Sequence, residues 1–253
     1  MDKEFEWKQK RCGMITASEL GSITSKSGKI IDGCLSYIRS KRFERKHGYT
    51  LPVSAKTMDI GNEQEPYIYQ WAVANLGLPG LIYSKDLEEI PFWVAPDCPM
   101  GASPDSYTPD ERIVVEFKCL VGNTATEFFD DDYTSYFEKK EAVWDDHGPQ
   151  ILGQFISRPS VEEIWLVKYI YQNDDIIEDN DDPDAPWRGT VFKFARKDYV
   201  ESIKAMKERI RLFDAMIDSK INPSEFKVGD WYVVNGELKQ SIVEKPEKPK
   251  KKK

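Results

Sequence analysis

Three side chains near the middle of the sequence have the types and spacing that hydrolysis of a phosphodiester requires. Asp105 ends the short segment 103–105, and Glu116 and Lys118 follow it on the next apolar stretch. Two carboxylates held side by side repel each other unless a cation lies between them, and their hard oxygen atoms suit Mg²⁺. Such a cation neutralises charge on a scissile phosphate, and a neighbouring lysine can hold or help to deprotonate the attacking water. The residue types therefore indicate metal-assisted phosphodiester hydrolysis.

The segment that carries these residues predicts a β-hairpin. Residues 112–118 form an apolar strand, and because alternate side chains share a face, Glu116 and Lys118 are expected on one side of it. The opposite face, which is expected to meet the core, carries Ile113, Val115 and Phe117. The turn at 108–111 would bring Asp105 beside Glu116. A solvent-facing alternation of Glu and Lys has the same spacing, so the Glu-x-Lys pattern alone does not establish a site.

The chain before this hairpin is predicted to be mainly helical. A short helix around Trp7–Arg11 is followed by a turn at Gly13 and by a second helix that starts at Thr16, where Thr16 and Glu19 match a capping box. Apolar residues then recur at helical spacing in two longer ranges, each of which ends at a glycine. These ranges are 31–47 with Gly48 and 59–76 with Gly77.

The periodicity changes after the third of these helices. Prolines and turn residues separate apolar runs that predict strands, while residues 123–147 give no assignment. The predicted strands are 81–95, 99–103, 112–118, 163–171 and 189–195, and the predicted helices are 149–157 and 197–219. Helices, consecutive strands and then alternating elements predict an α/β (α+β) fold with a central mixed β-sheet flanked by helices.

Length and charge bound the domain organisation and the partners. A chain of 253 residues is long enough for one large domain, which we expect over 1–225, with an extension over 226–253 that ends in a lysine-rich tail. The formal net charge of −8 argues at first against nucleic acid. Residues 174–184 contain seven acidic residues and no basic one, whereas residues 39–46 contain five basic residues against one acidic. An acidic chain with local basic faces can still bind a phosphate backbone.

Cysteine usage and hydropathy exclude several protein classes. The four cysteines are scattered without Cys-x-x-Cys spacing, and with only two histidines they predict neither a zinc site nor a disulfide framework. We expect most of them to be buried and reduced. No apolar run approaches the ~18 residues of a membrane span, and the N-terminus is too charged for a signal peptide. A cytoplasmic protein without a membrane partner is therefore expected.

Four sequence blocks, taken in order, resemble the phage lambda exonuclease family, the YqaJ-type viral recombinase nucleases of the PD-(D/E)xK superfamily. Each block alone is weak, and the resemblance rests on their shared order over roughly residues 7–171. The blocks are Trp7 with Arg11–Ser18, Gly61–Glu65, Ser103–Asp105 and Glu116–Cys119. The resemblance implies a restriction-endonuclease-like core.

The same resemblance assigns roles near the metal. Asp105 and Glu116 would ligate it, the backbone carbonyl of Phe117 would be a further ligand, and Lys118 would position the nucleophilic water. Glu65 would complete the metal site, although from the sequence alone it could equally be an exposed helical residue.

A second group of residues is implied to bind the 5′-phosphate. Arg11, Ser18 and Ser103 match positions that cradle this group, which is chemically reasonable because arginine forms a fork on phosphate. The family also carries a glutamine on the helix after the Glu-x-Lys strand. Gln150 and Gln154 both qualify, and Gln150 is preferred because it lies at the start of the predicted helix.

The activity implied by the resemblance is processive 5′→3′ digestion of one strand of duplex DNA from a 5′-phosphorylated end. Mg²⁺ would be the cofactor, with Mn²⁺ as a possible substitute. A ring-shaped homotrimer, a single-strand annealing protein as partner and a phage or prophage origin in a bacterial host are also implied.

Three alternatives remain open from the sequence. The chain could be another enzyme of the superfamily, such as a structure-specific endonuclease, which would nick closed circles. It could be a DNA-binding or annealing module with a degenerate site, which would bind DNA without metal. It could also be an acidic interaction protein with accidental motifs, which would have no affinity for DNA.

Overall fold

The chain forms a five-stranded sheet with helices packed against it, together with two smaller sheets. The computed structural model describes residues 2–24, 32–50, 56–121, 135–170, 182, 184–226, 231–234 and 237–240. Five α-helices are formed by these residues: α1 (Lys3–Arg11), α2 (Asp32–His47), α3 (Lys56–Asn75), α4 (Tyr136–Ser157) and α5 (Val200–Asp218). The strands are β1 (Ile15–Thr16), β2 (Ile82–Tyr83), β3 (Trp93–Val94), β4 (Met100–Ala102), β5 (Ser106–Tyr107), β6 (Ile113–Leu120), β7 (Glu163–Ile170), β8 (Gly189–Ala195), β9 (Trp231–Val234) and β10 (Glu237–Gln240).

Three sheets are present in the described part of the chain. The largest has the order β2-β5-β6-β7-β8, in which β6 and β7 are parallel and the other neighbours antiparallel. A smaller sheet has the order β1-β4-β3, with β1 parallel to β4. Strands β9 and β10 form a separate antiparallel pair. The predicted fold class, a mixed sheet flanked by helices, is confirmed.

Both faces of the large sheet are buried around β6. The odd-numbered side chains of β6 face the core, as predicted, and pack against α3; Val114 on the even face is fully buried as well and packs beneath α4. The physical reason is topological. Parallel strands such as β6 and β7 need a crossover, and a crossover helix covers one face of the sheet. Glu116 therefore lies beneath a helix and not at an open surface.

The predicted hairpin is confirmed. Strand β5 pairs with β6 through Ser106 with Val115 and Tyr107 with Val114. The pairing stops at Ser106, and no other described strand pairs with this edge of β6 beyond Val115. The hairpin places Asp105 at that edge.

The segment predicted as a second helix from Thr16 is a 3₁₀ helix, Ala17–Ile23, preceded by β1. Its capping box does not form as predicted, because the Thr16 hydroxyl donates to the Glu19 carboxylate at 2.8 Å and makes no cap to the backbone. Thr16 is instead held by pairing of β1 with β4. Sheet pairing has overridden the local capping signal.

Helix α4 begins well before the predicted start at residue 149. A capping box between Ser135 and Glu138 begins the helix at Tyr136, and Pro149 lies inside it. A proline within a helix removes one backbone hydrogen bond and strains the preceding turn. The burial of one face of α4, including Val143 and Ile151, stabilises the helix on both sides of that proline.

The other predicted elements are found, with shifts at their ends. Helices α2 and α3 end next to Gly48 and Gly77, which have the positive φ values that favour glycine at this position. The predicted strand 81–95 is broken by a 3₁₀ turn at Ser84–Asp86, and the β9–β10 pair was not predicted. Of the acidic segment 174–184 only residues 182 and 184 are described, and the lysine-rich tail lies outside the described residues.

The cysteine prediction is confirmed in part. All four cysteines are free; Cys34 and Cys98 are buried, whereas Cys12 and Cys119 are partly exposed. Burial raises the pKa of Cys119 to about 11. In the parts of the chain that the structure describes, no helix is both long and apolar enough to cross a membrane.

Candidate active site

Asp105 lies at the free edge of β6. Its Oδ2 accepts a hydrogen bond from the backbone N–H of Phe117 at 2.8 Å. The N–H and C=O of one strand residue point to the same side, as they do when a residue exchanges both hydrogen bonds with a neighbouring strand. The Phe117 carbonyl is therefore expected to face the same edge as Asp105, where it adds a backbone oxygen to the carboxylate.

Glu116 extends from β6 towards α4 and is held there by two glutamines. Gln150 Nε2 donates to Glu116 Oε2 at 2.5 Å, and Gln154 Nε2 donates to Glu116 Oε1. Lys118, two residues along the strand, has its Nζ 3.8 Å from Glu116 Oε2. Glu116 is 1% exposed, whereas the Lys118 side chain is 25% exposed. The lysine thus lies between the buried carboxylate and solvent.

Glu65 reaches the same region from α3. Its Oε2 accepts a hydrogen bond from Lys85 Nζ at 2.5 Å, and Tyr83 donates a further hydrogen bond to the carboxylate. Burial, together with the negative charge of Asp105, raises the pKa of Glu65 to about 7. Glu65 is buried on its helix, so the interpretation of it as an exposed helical glutamate is wrong.

The carboxylates act on one another electrostatically. Burial raises the pKa of Glu116 well above its ordinary value, and the charges of Asp105 and Glu65 raise it further, while Lys118 and Gln154 act in the opposite direction. Burying several carboxylates together is unfavourable unless they are protonated or joined by a cation. The electrostatics of the site therefore call for either a protonated carboxylate or a cation between the carboxylates.

The donor set fits Mg²⁺, with one qualification from geometry. Among the described residues no group of three or more His, Cys, Asp or Glu side chains is arranged to hold a metal ion. Mg²⁺ is commonly bound by one or two carboxylates and retains several waters. Asp105 and Glu116 with the Phe117 carbonyl meet that need, whereas Glu65 is bonded to Lys85. Lys85 is bonded to Oε2 of Glu65, so Glu65 would join them through its other oxygen or after Lys85 moves away.

A second polar cluster lies beside this site. Arg11 packs over the Trp7 ring, with Cζ 4.2 Å from the ring centroid, and its Nη2 donates to Ser18 Oγ at 3.4 Å. Trp7 Nε1 donates to Ser103 Oγ at 2.7 Å. The structure therefore brings together the three residues for which the family resemblance implies phosphate binding.

Buried charges hold the backbone of this cluster in place. Glu44 Oε2 accepts hydrogen bonds from the Gly13 N–H and from Lys41 Nζ, both at 2.9 Å. Lys41 also forms an ion pair with Glu19, at 3.1 Å. Burial lowers the pKa of Arg11, while the charges of Glu19 and Asp105 raise it. Arg11 is thus anchored among acids with its guanidinium directed towards Ser18.

Gln154 joins the two clusters. Besides its hydrogen bond to Glu116, its Nε2 donates to the Ser103 carbonyl at 3.2 Å. The sequence preferred Gln150 over Gln154, but the structure places both on Glu116. The preference depended on a helix start at Pro149, and α4 begins earlier.

Several residues of the site were not assigned from the sequence. Trp7 was only part of a motif, and no role was predicted for Tyr83 or Lys85. His147 lies one turn before Gln150 on the same helix. The helical period would have placed it on the same face as Gln150 if the predicted helix had begun at Tyr136.

The fold was compared with solved structures. The alkaline exonuclease LHK-Exo from Laribacter hongkongensis superposes with a TM-score of 0.56 and 19% identity, covering 85% of this chain and 92% of that one. LHK-Exo in complex with dAMP gives a TM-score of 0.58 and 20% identity, over 85% and 94%. The chain has the alkaline exonuclease fold.

A phage-related exonuclease from Haemophilus somnus 129PT is also similar, at a TM-score of 0.49 and 17% identity, over 81% of this chain and 95% of that one. Neither protein-family models nor curated protein sequences give a match.

Proposed function

We propose that this chain is a Mg²⁺-dependent exonuclease that degrades one strand of linear double-stranded DNA in the 5′→3′ direction from 5′-phosphorylated ends. Mn²⁺ is a possible substitute for the metal. The proposal includes action as a homotrimer, with a single-strand annealing protein as partner in phage-type recombination. It also includes a place in the cytoplasm of a bacterial host, as a phage or prophage protein.

One observation carries the proposal: Gln154 connects the phosphate-binding cluster to the carboxylate site. Its side-chain N–H groups reach both Glu116 and the Ser103 carbonyl. A DNA end whose 5′-phosphate is bound by Arg11 and Ser18 would have its first internucleotide linkage close to Asp105 and Glu116. This arrangement favours attack at an end over attack within a closed duplex.

The residues of the chain divide the work of the reaction. Asp105, Glu116 and the Phe117 carbonyl would hold the metal, and Glu65 would support them. A bound Mg²⁺ neutralises charge on the scissile phosphate and favours deprotonation of water.

The remaining polar groups orient the reacting groups. Gln150 and Gln154 fix both oxygens of Glu116, so its carboxylate keeps one orientation as substrate binds. The partly exposed Lys118 is placed to donate a hydrogen bond to the attacking water and so to orient it towards the scissile phosphate. Arg11 fixes the DNA end and so selects which linkage is cleaved.

Digestion of linear duplex DNA with Mg²⁺ tests the proposal. Substrates with 5′-phosphate and 5′-hydroxyl ends are compared, with covalently closed circles as a further substrate and EDTA as a control. Release of mononucleotides from 5′-phosphorylated ends, with circles intact and no reaction in EDTA, is expected. Nicking of circles would indicate an endonuclease, and DNA binding without cleavage under any metal would indicate a binding module.

Arg11→Ala is expected to lower the rate on 5′-phosphorylated ends by about 10-fold or more, because a charge-assisted hydrogen bond contributes roughly 1.5–3 kcal/mol. The rate on 5′-hydroxyl ends should change little. Initial rates on the two substrates give the measurement. Lys10→Ala is a matched control, since Lys10 is exposed on the same helix and pairs with Glu89. An equal loss on both substrates would contradict a phosphate-anchoring role.

A further inference from the structure

A buried lysine and a histidine form a polar pair beside the candidate active site. Lys168 lies on β7 directly opposite Lys118 in the parallel register, so both side chains lie on the face beneath α4. Its Nζ is 2.8 Å from Nε2 of His147, which extends from α4. Lys168 is only 7% exposed, whereas His147 is partly exposed. The histidine therefore lies closer to solvent than the lysine.

This pair continues a row of polar side chains along one side of α4. His147, Gln150 and Gln154 are separated by three and four residues, which places them on one face of the helix. At one end of the row Gln154 contacts Glu116, and at the other end His147 contacts Lys168. With a rise of ~1.5 Å per residue, His147 and Gln154 are about 10 Å apart along the axis. The pair therefore lies on the opposite side of Glu116 from Ser103.

The charge of Lys168 has no acidic counterpart at contact distance. Among the described residues Lys168 forms no ion pair, and the nearby charges are Lys118, which is repulsive, and Asp146. A buried ammonium without a paired carboxylate is costly, and a cation retained in such a place indicates an anionic ligand. A purely structural lysine would be expected to pair with an acid.

The hydrogen bond between the two residues determines which atom can meet a ligand. Burial and the neighbouring lysines lower the pKa of His147 to about 3, so the imidazole is neutral. Its Nε2 then accepts a hydrogen bond from the Lys168 ammonium, and Nδ1 carries the hydrogen of the neutral ring. Nδ1 has no hydrogen-bond partner among the described residues. The pair thus presents a polarised N–H group backed by a positive charge.

We propose that His147 and Lys168 form a phosphate-binding subsite for the strand being degraded, and that it holds the linkage on the 3′ side of the scissile one. The inference rests on the proposed exonuclease function. The 5′-phosphate cluster, the carboxylate site and this subsite then lie in the order of successive phosphates along one strand. Such a subsite fixes the strand on both sides of the reacting linkage.

Binding to duplexes that carry a single neutral methylphosphonate tests the subsite. The duplexes have a 5′-phosphate and are neutralised at the first, second or third linkage of that strand, and Lys118→Ala is used so that the DNA stays intact. Neutralising the second linkage is expected to weaken binding by about 10-fold. With Lys168→Met added, the unmodified duplex should bind about 10-fold more weakly, and neutralising the second linkage should cause no further loss.

Matched variants complete the design. Lys204→Met removes an exposed lysine of α5 and is expected to leave the pattern unchanged. His147→Leu should lower DNA affinity as Lys168→Met does. His147→Gln retains an acceptor for Lys168 and a donor for phosphate, so it should retain most of the affinity. The scan in Lys118→Ala needs no change at either residue of the subsite, so it does not depend on how Lys168→Met folds.

The possible failures are distinguishable. Suppose that wild-type protein digests linear duplex, but that neutralising the second linkage leaves affinity unchanged, or lowers it equally with and without Lys168→Met. The subsite is then overturned and the exonuclease function stands. If wild-type protein does not digest linear duplex, the proposed function fails, while the binding scan still decides whether the pair holds a phosphate.

Discussion

Lys118→Ala is expected to lower the turnover of linear duplex DNA by about 10²–10⁴-fold while leaving metal-dependent DNA binding largely intact, since a positioned acid–base group contributes on this scale. Lys118 Nζ lies 3.8 Å from Glu116 Oε2 and is partly exposed, so it can contact both the carboxylate site and an incoming water. Alanine removes that contact. It leaves Asp105 and the glutamine bonds to Glu116 in place.

The measurement is single-turnover digestion of a 5′-phosphorylated duplex, with affinity determined separately. Lys204→Ala, which removes an exposed charge far along the chain, is the control and should retain wild-type turnover. Undiminished turnover in Lys118→Ala would remove this lysine from the mechanism. A parallel loss of affinity and turnover would assign it to substrate binding.

Gly153→Ala is expected to reduce the free energy of unfolding by about 1–3 kcal/mol and to weaken the preference for 5′-phosphorylated ends. A Cβ at Gly153 would lie 2.6 Å from the Cβ and 2.8 Å from the Cα of Ala17. The clash with backbone cannot be relieved by a rotamer change. The 3₁₀ helix Ala17–Ile23 must therefore move away from α4, and it carries Ser18 with it.

Urea denaturation gives the stability, and initial rates on the two kinds of DNA end give the preference. Gly61→Ala is the matched control, because a Cβ there would meet nothing within 4 Å. Inside helix α3 this change should stabilise the protein by about 0.5–1 kcal/mol. A neutral effect of Gly153→Ala on stability would show that the two helices can separate without cost, and that α4 does not fix the position of Ser18.

The chemistry of the β-hairpin could be predicted from the sequence. Three signals were sufficient to place Asp105 beside Glu116. They were a turn with known residue preferences, an apolar strand, and the two-residue period with which side chains alternate along a strand. The same reasoning left the exposure of Glu116 open, because the alternation of side chains separates two faces of a strand but does not show what covers each face. Helix α4 covers the second face. Its capping residue, Ser135, lies well before residue 149, where the sequence predicts the start of this helix.

Local signals determined where helices α2 and α3 end, because glycine alone adopts their terminal conformation without strain. The residue types that we propose for binding phosphate and metal could likewise be read from the sequence. Tertiary structure decided which of these residues meet. Parallel pairing of β1 with β4 and of β6 with β7 joins segments far apart in sequence, and no local propensity encodes such contacts. The cluster of Arg11, Ser18 and Ser103, and the pair of His147 with Lys168, exist only because burial of the apolar faces of α4 and the sheet holds those segments together.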